Sequence, residues 1–306
     1  MSKKILFFGN ERLATGVYTS LPTLQALLAA GYEVPAAVVA QSPGGKSRQG
    51  RRLEVTDIAK QHKIPLLALP DLSKAHDQLA DFGAEAAVLI AYGKLVPQPL
   101  LDLFPRGIIN VHPSLLPLYR GPTPIESAIL NGATETGVSL MRLSAKMDAG
   151  PVYAQQAVDL DGTESKQQLA NRLSAIGADM MLEYLPRILD SSAKPIPQGD
   201  KSAIYTKLIT KNEGQLDWTK PATRLEREIR AYAGWPRSRT KLGQTSVIVT
   251  KAHVAEGSAG QPGALRIETK QLGVQCGKDV LVIDSLLPDG KKEMSGMAFL
   301  AGYNIR

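Results

Sequence analysis

The sequence has little cysteine and few long apolar runs, and both scarcities narrow what the chain can be. Its 306 residues include one cysteine, Cys276, which excludes an internal disulfide framework and a zinc site built from several cysteines. No apolar run approaches the ~20 residues that span a bilayer. The first residues also lack the long apolar core and the cleavage site of a secretory signal peptide. These absences predict a cytoplasmic protein that does not associate with a membrane.

The charge is unevenly distributed along the chain. The formal net charge is +7, yet residues 1–206 are nearly balanced, with 20 Lys and Arg against 19 Asp and Glu. Residues 207–306 have 16 Lys and Arg against 10 Asp and Glu. Such asymmetry favours a polyanionic partner for the basic part, although plain solubility accounts for it equally well. The length is sufficient for two domains.

The first third of the chain alternates short apolar runs with helical patterns. Strands are predicted at 3–9, 34–40, 64–69, 86–91 and 107–111, with helices between most of them. This alternation predicts an α/β domain with a doubly wound, mostly parallel sheet. The stretch F-G-N-E-R-L-A-T-G after the first strand is not a G-x-G-x-x-G fingerprint, which argues against a dinucleotide cofactor.

The pattern changes after residue 111. Two further strands, at 136–143 and 151–158, precede a long amphipathic helix at 164–189. Residues 190–206 are rich in Ser, Pro and Gly and are predicted to form a linker. After a helix at 221–233, successive short strands predict a small β-barrel. The predicted division is therefore a first domain over 1–189, the linker over 190–206 and a second domain over 207–306. The barrel strands are predicted at 237–242, 245–253, 262–268, 271–276 and 279–287.

A possible active site lies at the end of the strand 107–111. Of the four histidines, only His112 follows a strand next to other polar groups. Asn110 lies on the same face of the strand and is a fixed N–H donor for a developing oxyanion. Asp148, in the loop K-M-D-A-G, can orient His112 and favour its charged form. No G-x-S-x-G elbow surrounds Ser114, so the set indicates acyl transfer without a covalent intermediate. From the residues alone, a purely structural role for Asn110 and His112 at a strand end is the simpler interpretation.

Four longer stretches carry a family resemblance. The segment I-N-V-H-P-S-L-L-P-L-Y-R-G-P-T-P-I, the preceding A-Y-G-K-L-V-P and the following E-T-G-V-S-L-M-R-L-S-A-K-M-D-A-G-P-V closely resemble the formyltetrahydrofolate-dependent formyltransferases. The stretch K-N-E-G-Q-L-D-W-T-K-P-A-T-R-L-E-R-E-I-R-A-Y-A-G-W-P resembles the second domain of the members that act on methionyl initiator tRNA. The chain departs from the family over residues 10–18, where nothing is carried over.

The resemblance implies a fold, a reaction and site residues. It implies a Rossmann-like formyltransferase domain followed by an OB-like barrel that binds tRNA. The catalytic residues would be Asn110, His112 and Asp148, and the folate contact would be Ser114, Leu115, Leu116 and Pro117. The formyl group of 10-formyltetrahydrofolate would pass to the α-amino group of methionine on initiator tRNA, without a metal and in a monomer. Which group accepts the proton of the amine is left open.

A basic loop is the predicted tRNA contact of the first domain. Residues 41–52 include Lys46, Arg48, Arg51 and Arg52 and no acidic residue. The resemblance implies that this loop meets the acceptor end of the tRNA, whereas a solvated surface loop is the simpler alternative.

Two other functions are possible for the chain as a whole. One is formyl transfer to an amino sugar or other small amine, and the other is an RNA-binding protein with an inert site.

The helix predicted at 221–233 presents a second group of cations. Leu225 and Ile229 share its apolar face, while its three arginines lie mostly elsewhere. These arginines could follow tRNA phosphates, but Glu226 and Glu228 weaken the patch.

Overall fold

The chain divides into two compact units. The computed structural model describes residues 3–40, 54–257, 260–268 and 270–304. Unit 1 comprises Met1–Pro124, Glu135–Leu160 and Gln168–Lys207. Unit 2 comprises Ile125–Thr134, Asp161–Gln167 and Leu208–Arg306. The stretch 190–206, predicted to be a linker, is thus grouped with unit 1, and two short segments from within the predicted first domain are grouped with unit 2.

Regular elements follow one another closely as far as residue 189. The strands are β1 (Ile5–Gly9), β2 (Ala37–Val39), β3 (Leu66–Ala68), β4 (Ala86–Ile90), β5 (Ile108–His112), β6 (Glu135–Arg142) and β7 (Val152–Asp159). The helices are α1 (Pro22–Ala29), α2 (Val55–His62), α3 (His76–Ala80), α4 (Gln98–Asp102), α5 (Pro124–Asn131) and α6 (Lys166–Leu189). Each predicted strand of this part of the chain is present, with ends shifted by up to three residues.

The seven strands form one sheet in the order β3-β2-β1-β4-β5-β6-β7. The first five strands in this order pair in parallel, and β6 and β7 are antiparallel additions. This confirms the predicted doubly wound, mostly parallel sheet. The strand order reverses between β1 and β4, and ligands of such sheets bind in the crevice at the carboxyl ends of the strands near this point. The central strand β4 is buried along its whole length, as its unbroken apolar sequence requires.

Close packing fixes the position of β5 within unit 1. All five of its residues are buried. A Cβ atom at Gly177 of α6 would lie 2.6 Å from Cγ1 of Val111, so the absence of a side chain there lets the helix approach the strand. The strand that ends at His112 is therefore held by its neighbours on the sheet and by a helix across one face.

Unit 2 is built on an antiparallel sheet of six strands. Five of them follow the order β10-β11-β12-β9-β8, and β13 pairs with β12. This arrangement confirms the small barrel-like second domain that the short strands predicted. The elements are α7 (Ala222–Ala231), β8 (Ser238–Leu242), β9 (Thr245–Ala255), β10 (Leu265–Glu268), β11 (Gln271–Gln275), β12 (Val280–Pro288), β13 (Met294–Ser295) and α8 (Gly296–Gly302).

The core of unit 2 forms between its sheet and α7. Leu225 and Ile229 on the apolar face of α7 are buried in it, together with Phe299 of α8. Cys276 is buried at the end of β11, where desolvation raises the pKa of its thiol to about 11. It packs there as a small apolar side chain. Within the described residues, no helix combines the length and hydropathy needed to cross a membrane.

Candidate active site

The candidate site lies where β5 ends. Asn110 and His112 are two residues apart on this strand, which places both side chains on one face of the sheet. Each residue is only 5% exposed. The parallel neighbour β4 pairs with β5 through Leu89 and Asn110, so both strands end at the same edge. The predicted pair of polar side chains therefore lies at the edge where sheets of this class bind ligands.

The imidazole of His112 is held by a backbone carbonyl. Nε2 lies 3.0 Å from the carbonyl oxygen of Tyr119. A carbonyl can only accept, so Nε2 carries the hydrogen and donates it. Tyr119 adopts a φ of +58°, an unusual conformation for a bulky side chain. This strained backbone is part of the loop that fixes one ring nitrogen and leaves Nδ1 as the nitrogen able to act on a substrate.

Asp148 faces that remaining nitrogen. Its Oδ2 lies 3.8 Å from Nδ1 of His112, and the side chains are 16% and 6% exposed, respectively. The same oxygen accepts a 2.7 Å hydrogen bond from the backbone N–H of Gly121. A distance of 3.8 Å is too long for a hydrogen bond, so the carboxylate interacts with the ring through its negative charge. The structure thus brings Asp148 to His112 across about 35 residues of chain, as the sequence predicted.

Two polar side chains hold the backbone of the loop after His112. The hydroxyl of Ser139 donates to the carbonyl oxygen of Ser114 at 2.6 Å and accepts from the N–H of Leu116 at 3.0 Å. Gln155 Nε2 donates to the carbonyl oxygen of Leu116 at 2.8 Å. These bonds fix the backbone of the segment from Ser114 to Pro117.

The predicted folate contacts within this loop are unequal. Ser114 is fully buried, and its hydroxyl donates to the carbonyl oxygen of Leu118 at 2.6 Å. Its backbone N–H donates to the carbonyl oxygen of His112 at 2.9 Å, so Ser114 has neither exposed surface nor a free donor to offer a ligand in this arrangement. Leu116 is 5% exposed, whereas Leu115 and Pro117 are partly accessible. Val88 and Ile90 of β4 lie in the core.

A buried carboxyl closes the end of β1. Glu11 is 1% exposed and accepts hydrogen bonds from the N–H groups of Thr23 and Leu24 at the start of α1, at 3.0 and 2.8 Å. Desolvation raises the pKa of Glu11 to about 7, and these two bonds oppose the shift. A phosphate of a dinucleotide would need the same N–H groups. The chain's own carboxyl occupies them, which supports the prediction that no dinucleotide binds here.

Of the two predicted groups of basic residues, the structure describes the arginines of α7 and not the cations of the basic loop. Lys46, Arg48, Arg51 and Arg52 lie outside the described residues. In α7, Arg224 Nε bonds Glu228 Oε1 at 3.1 Å, and its Nη1 donates to the carbonyl oxygen of Leu130.

Another arginine of this helix, Arg230, is also engaged within unit 2. Arg230 Nε bonds Glu226 Oε1 at 2.5 Å, and Nη1 donates to the carbonyl oxygen of Glu164 at 3.0 Å. Arg224 and Arg230 are thus bound by acidic neighbours, as the weak patch in the sequence suggested. In the described part of the chain, no three His, Cys, Asp or Glu side chains converge on a metal site.

Sequence reasoning missed some of the groups that fix this site. The carbonyl of Tyr119 is a backbone group that any residue could provide, so the sequence carries no signal for it. Glu11 had a signal, since an acidic residue two positions after the glycine of a first strand can reach the next helix. Residues 10–18 depart from the family pattern, so the resemblance implies no role for Glu11.

Comparisons with known proteins cover both units. The profile described as Formyl transferase matches residues 12–185, and the profile described as Formyl transferase, C-terminal domain, matches residues 208–304. A methionyl-tRNA formyltransferase of Chloroflexus aurantiacus is 38% identical over 99% of either chain. One from Roseiflexus castenholzii is 35% identical over 100% of this chain and 97% of its own. The crystal structure of HypX from Aquifex aeolicus in complex with tetrahydrofolic acid is 18% identical, with a TM-score of 0.66 over 97% of this chain and 46% of that one. At this identity the last comparison shows the fold alone.

Proposed function

The chain belongs to the formyl transferase family, and we propose that it transfers the formyl group of 10-formyltetrahydrofolate to the α-amino group of methionine on initiator tRNA. The observation that carries the proposal is the arrangement of Asn110, His112 and Asp148 at the end of β5. It occurs in a chain that matches methionyl-tRNA formyltransferases over its whole length.

The proposed reaction is a direct transfer between two nitrogens. The lone pair of the amine attacks the formyl carbon, and the carbonyl π electrons move onto oxygen. The C–N bond to the folate then breaks as the carbonyl re-forms. Overall the amine loses one proton and the folate nitrogen gains one, so atoms and charge balance. No enzyme nucleophile is required, which agrees with the inward-facing hydroxyl of Ser114.

Asn110 and His112 are proposed to stabilise the oxyanion, and Asp148 to support His112. Asn110 supplies a neutral N–H donor from a rigid, buried strand, which is the preorganisation that such a site needs. His112 is anchored at Nε2 by Tyr119, so we assign Nδ1 as the group that acts on the reacting atoms. Asp148 supports the charged ring from 3.8 Å and is itself oriented by the N–H of Gly121.

The folate would bind beside the fixed loop from Ser114 to Pro117. Ser139 and Gln155 already hold the backbone polar groups of this loop in place, so binding need not order it. Leu115 supplies partly accessible apolar surface against which a flat pterin ring can pack. Binding at this position would bring the formyl group to Asn110 and His112.

The acceptor would be selected by its charge as well as by its amine. The 16 Lys and Arg against 10 Asp and Glu of residues 207–306 attract a polyanion, whereas a small amine needs no such excess. Lys46, Arg48, Arg51 and Arg52 of the basic loop are proposed to contact the acceptor end of the tRNA. A monomer suffices, since the three proposed catalytic residues belong to one chain.

A substrate panel tests the proposal. Purified protein would receive 10-formyltetrahydrofolate with methionyl initiator tRNA, methionyl elongator tRNA or a nucleotide-linked amino sugar. The product would be identified by mass. We expect formylation of the initiator tRNA, with little or none of the other two. Formylation of the sugar alone would show that the acceptor has been assigned wrongly, and no formylation by an enzyme that binds both substrates would contradict the reaction.

A further inference from the structure

The turn that carries Asp148 is clamped by a side chain from the end of unit 1. Nε2 of Gln198 donates to the carbonyl oxygens of Asp148 and Gly150, at 2.9 and 2.6 Å. Asp148 has a φ of +48°, in the left-handed region, where a non-glycine residue is disfavoured by about 1–3 kcal/mol. Such a conformation persists only where the surroundings hold it. The two hydrogen bonds of Gln198 lie on either side of Ala149 and hold the backbone of this turn.

The orientation of the Gln198 amide is fixed at its other end. Its Oε1 accepts from Nε and Nη2 of Arg120, at 3.1 and 2.9 Å. Nη1 of Arg120 donates to Asp200 Oδ1 and to the hydroxyl of Tyr205, each at 2.9 Å. The guanidinium is 1% exposed and offers only donors, so the amide oxygen must face it. The amide nitrogen then has to face the two carbonyls of the Asp148 turn.

Arg120 connects this clamp to the imidazole. It lies between Tyr119, whose carbonyl anchors Nε2 of His112, and Gly121, whose N–H donates to the Asp148 carboxylate. Its backbone pairs with residues 198–206, here called the strap, through Arg120 N to Ile204 O at 2.8 Å and Thr206 N to Arg120 O at 2.7 Å. A single hydrogen-bonded network, centred on the buried Arg120, thus reaches both members of the His112–Asp148 pair.

We propose that Gln198 is a positioning residue that sets the distance between the Asp148 carboxylate and His112, and thereby the rate of the transfer step. The inference rests on the proposed function of that pair. The strap was predicted to be a linker because of its Ser, Pro and Gly content, yet it supplies the group that bridges the two loops of the site. The carboxylate lies 3.8 Å from the ring and makes no hydrogen bond to it, so its position depends on the N–H of Gly121 and on the hold that Gln198 has on the backbone of the turn.

The variant Gln198→Glu separates the two ends of the clamp. A glutamate still accepts from Arg120, so the strap stays attached, but it cannot donate to the carbonyls of Asp148 and Gly150. We expect kcat to fall about tenfold, with KM for both substrates unchanged within about twofold and the thermal midpoint close to wild type. Asp200→Ala is the matched control, because it removes a partner of Arg120 without touching the turn. It is expected to keep kcat within about twofold of wild type.

A double-mutant cycle with Asp148→Asn tests whether Gln198 acts through Asp148. If it does, the double variant is no slower than Asp148→Asn alone, whereas independent roles would multiply the two losses. A wild-type kcat for Gln198→Glu, or multiplicative losses in the cycle, would overturn the proposal.

An NMR measurement that needs no amine substrate tests the role of Gln198 independently of the proposed function. With four histidines in the chain, the ¹⁵N signals of His112 can be assigned from a His112→Ala spectrum. They are expected to move in Gln198→Glu and to stay in Asp200→Ala. If wild type did not formylate methionyl-tRNA, the proposed function would fail while these spectra still reported on the clamp. Unmoved His112 signals in Gln198→Glu would refute the clamp itself.

Discussion

Replacing Asp148 by asparagine is expected to slow formyl transfer by about 10²- to 10³-fold without unfolding the protein. The magnitude follows from the geometry of the pair. Two unit charges 3.8 Å apart attract by about 4 kcal/mol at an effective dielectric constant near 20. That energy corresponds to a rate factor of about 10³ if all of it stabilises the charged ring in the transition state. The remaining exposure of the carboxylate to solvent lowers this figure.

The asparagine keeps the local structure, which makes the variant informative. Its amide oxygen can still accept from the N–H of Gly121, so the loss is one of charge. The assay is single-turnover transfer with both substrates saturating. Asp77→Asn is the matched control, because Asp77 pairs with His76 at 3.0 Å on the exposed surface, where such pairs contribute little. An Asp148→Asn rate within threefold of wild type would refute the idea that the carboxylate supports a charged His112.

Three further predictions concern the surroundings of the site. Because the pKa of Glu11 is raised to about 7, the folded chain keeps a proton that the unfolded chain loses above about pH 4.5. The free energy of unfolding should therefore fall by about 3 kcal/mol between pH 4.5 and 7. Denaturant titrations across this range should show a flatter profile for Glu11→Gln, and an equally steep one would contradict the shift. Gly121→Ala should lower kcat, because its φ is +109° and the new Cβ would lie 2.9 Å from the Thr206 carbonyl oxygen, which displaces the N–H that orients Asp148. Transfer kinetics equal to wild type would contradict this. Changing Arg48 and Arg51 together to alanine should weaken tRNA binding. It should also make the slope of the logarithm of the binding constant against the logarithm of the salt concentration shallower by about two, as measured by filter binding. An unchanged salt slope would exclude the loop as a phosphate contact.

The fold was predictable because its strongest signals are local. The apolar runs that became β1, β4 and β5 are buried along their length, and glycines or prolines punctuate most of the connections between elements. Short strands at close spacing likewise marked the sheet of unit 2. The short final helix α8 was not predicted, since its seven residues, several of them small, carry too little periodicity to detect.

The site was predictable only for side chains that have a distinctive chemistry. Asn110, His112 and Asp148 could be named because their side chains can donate hydrogen bonds or move protons and because the motifs around them resemble the family. Their geometry depends on groups without such a signature, including the carbonyl of Tyr119 and the amide of Gln198. Gln198 lies in a stretch whose composition indicates a linker, and only the folded chain shows that it returns to the Asp148 turn.

The most direct test of the central claim is the rate of a single turnover on methionyl initiator tRNA, measured by rapid quench with a labelled formyl donor for wild type and His112→Ala. The account predicts that the label moves to the methionyl amine in wild type and that His112→Ala is slower by at least about 10³-fold with substrate binding retained. Full activity of His112→Ala, or label trapped on the protein before it reaches the amine, would contradict direct transfer assisted by this histidine.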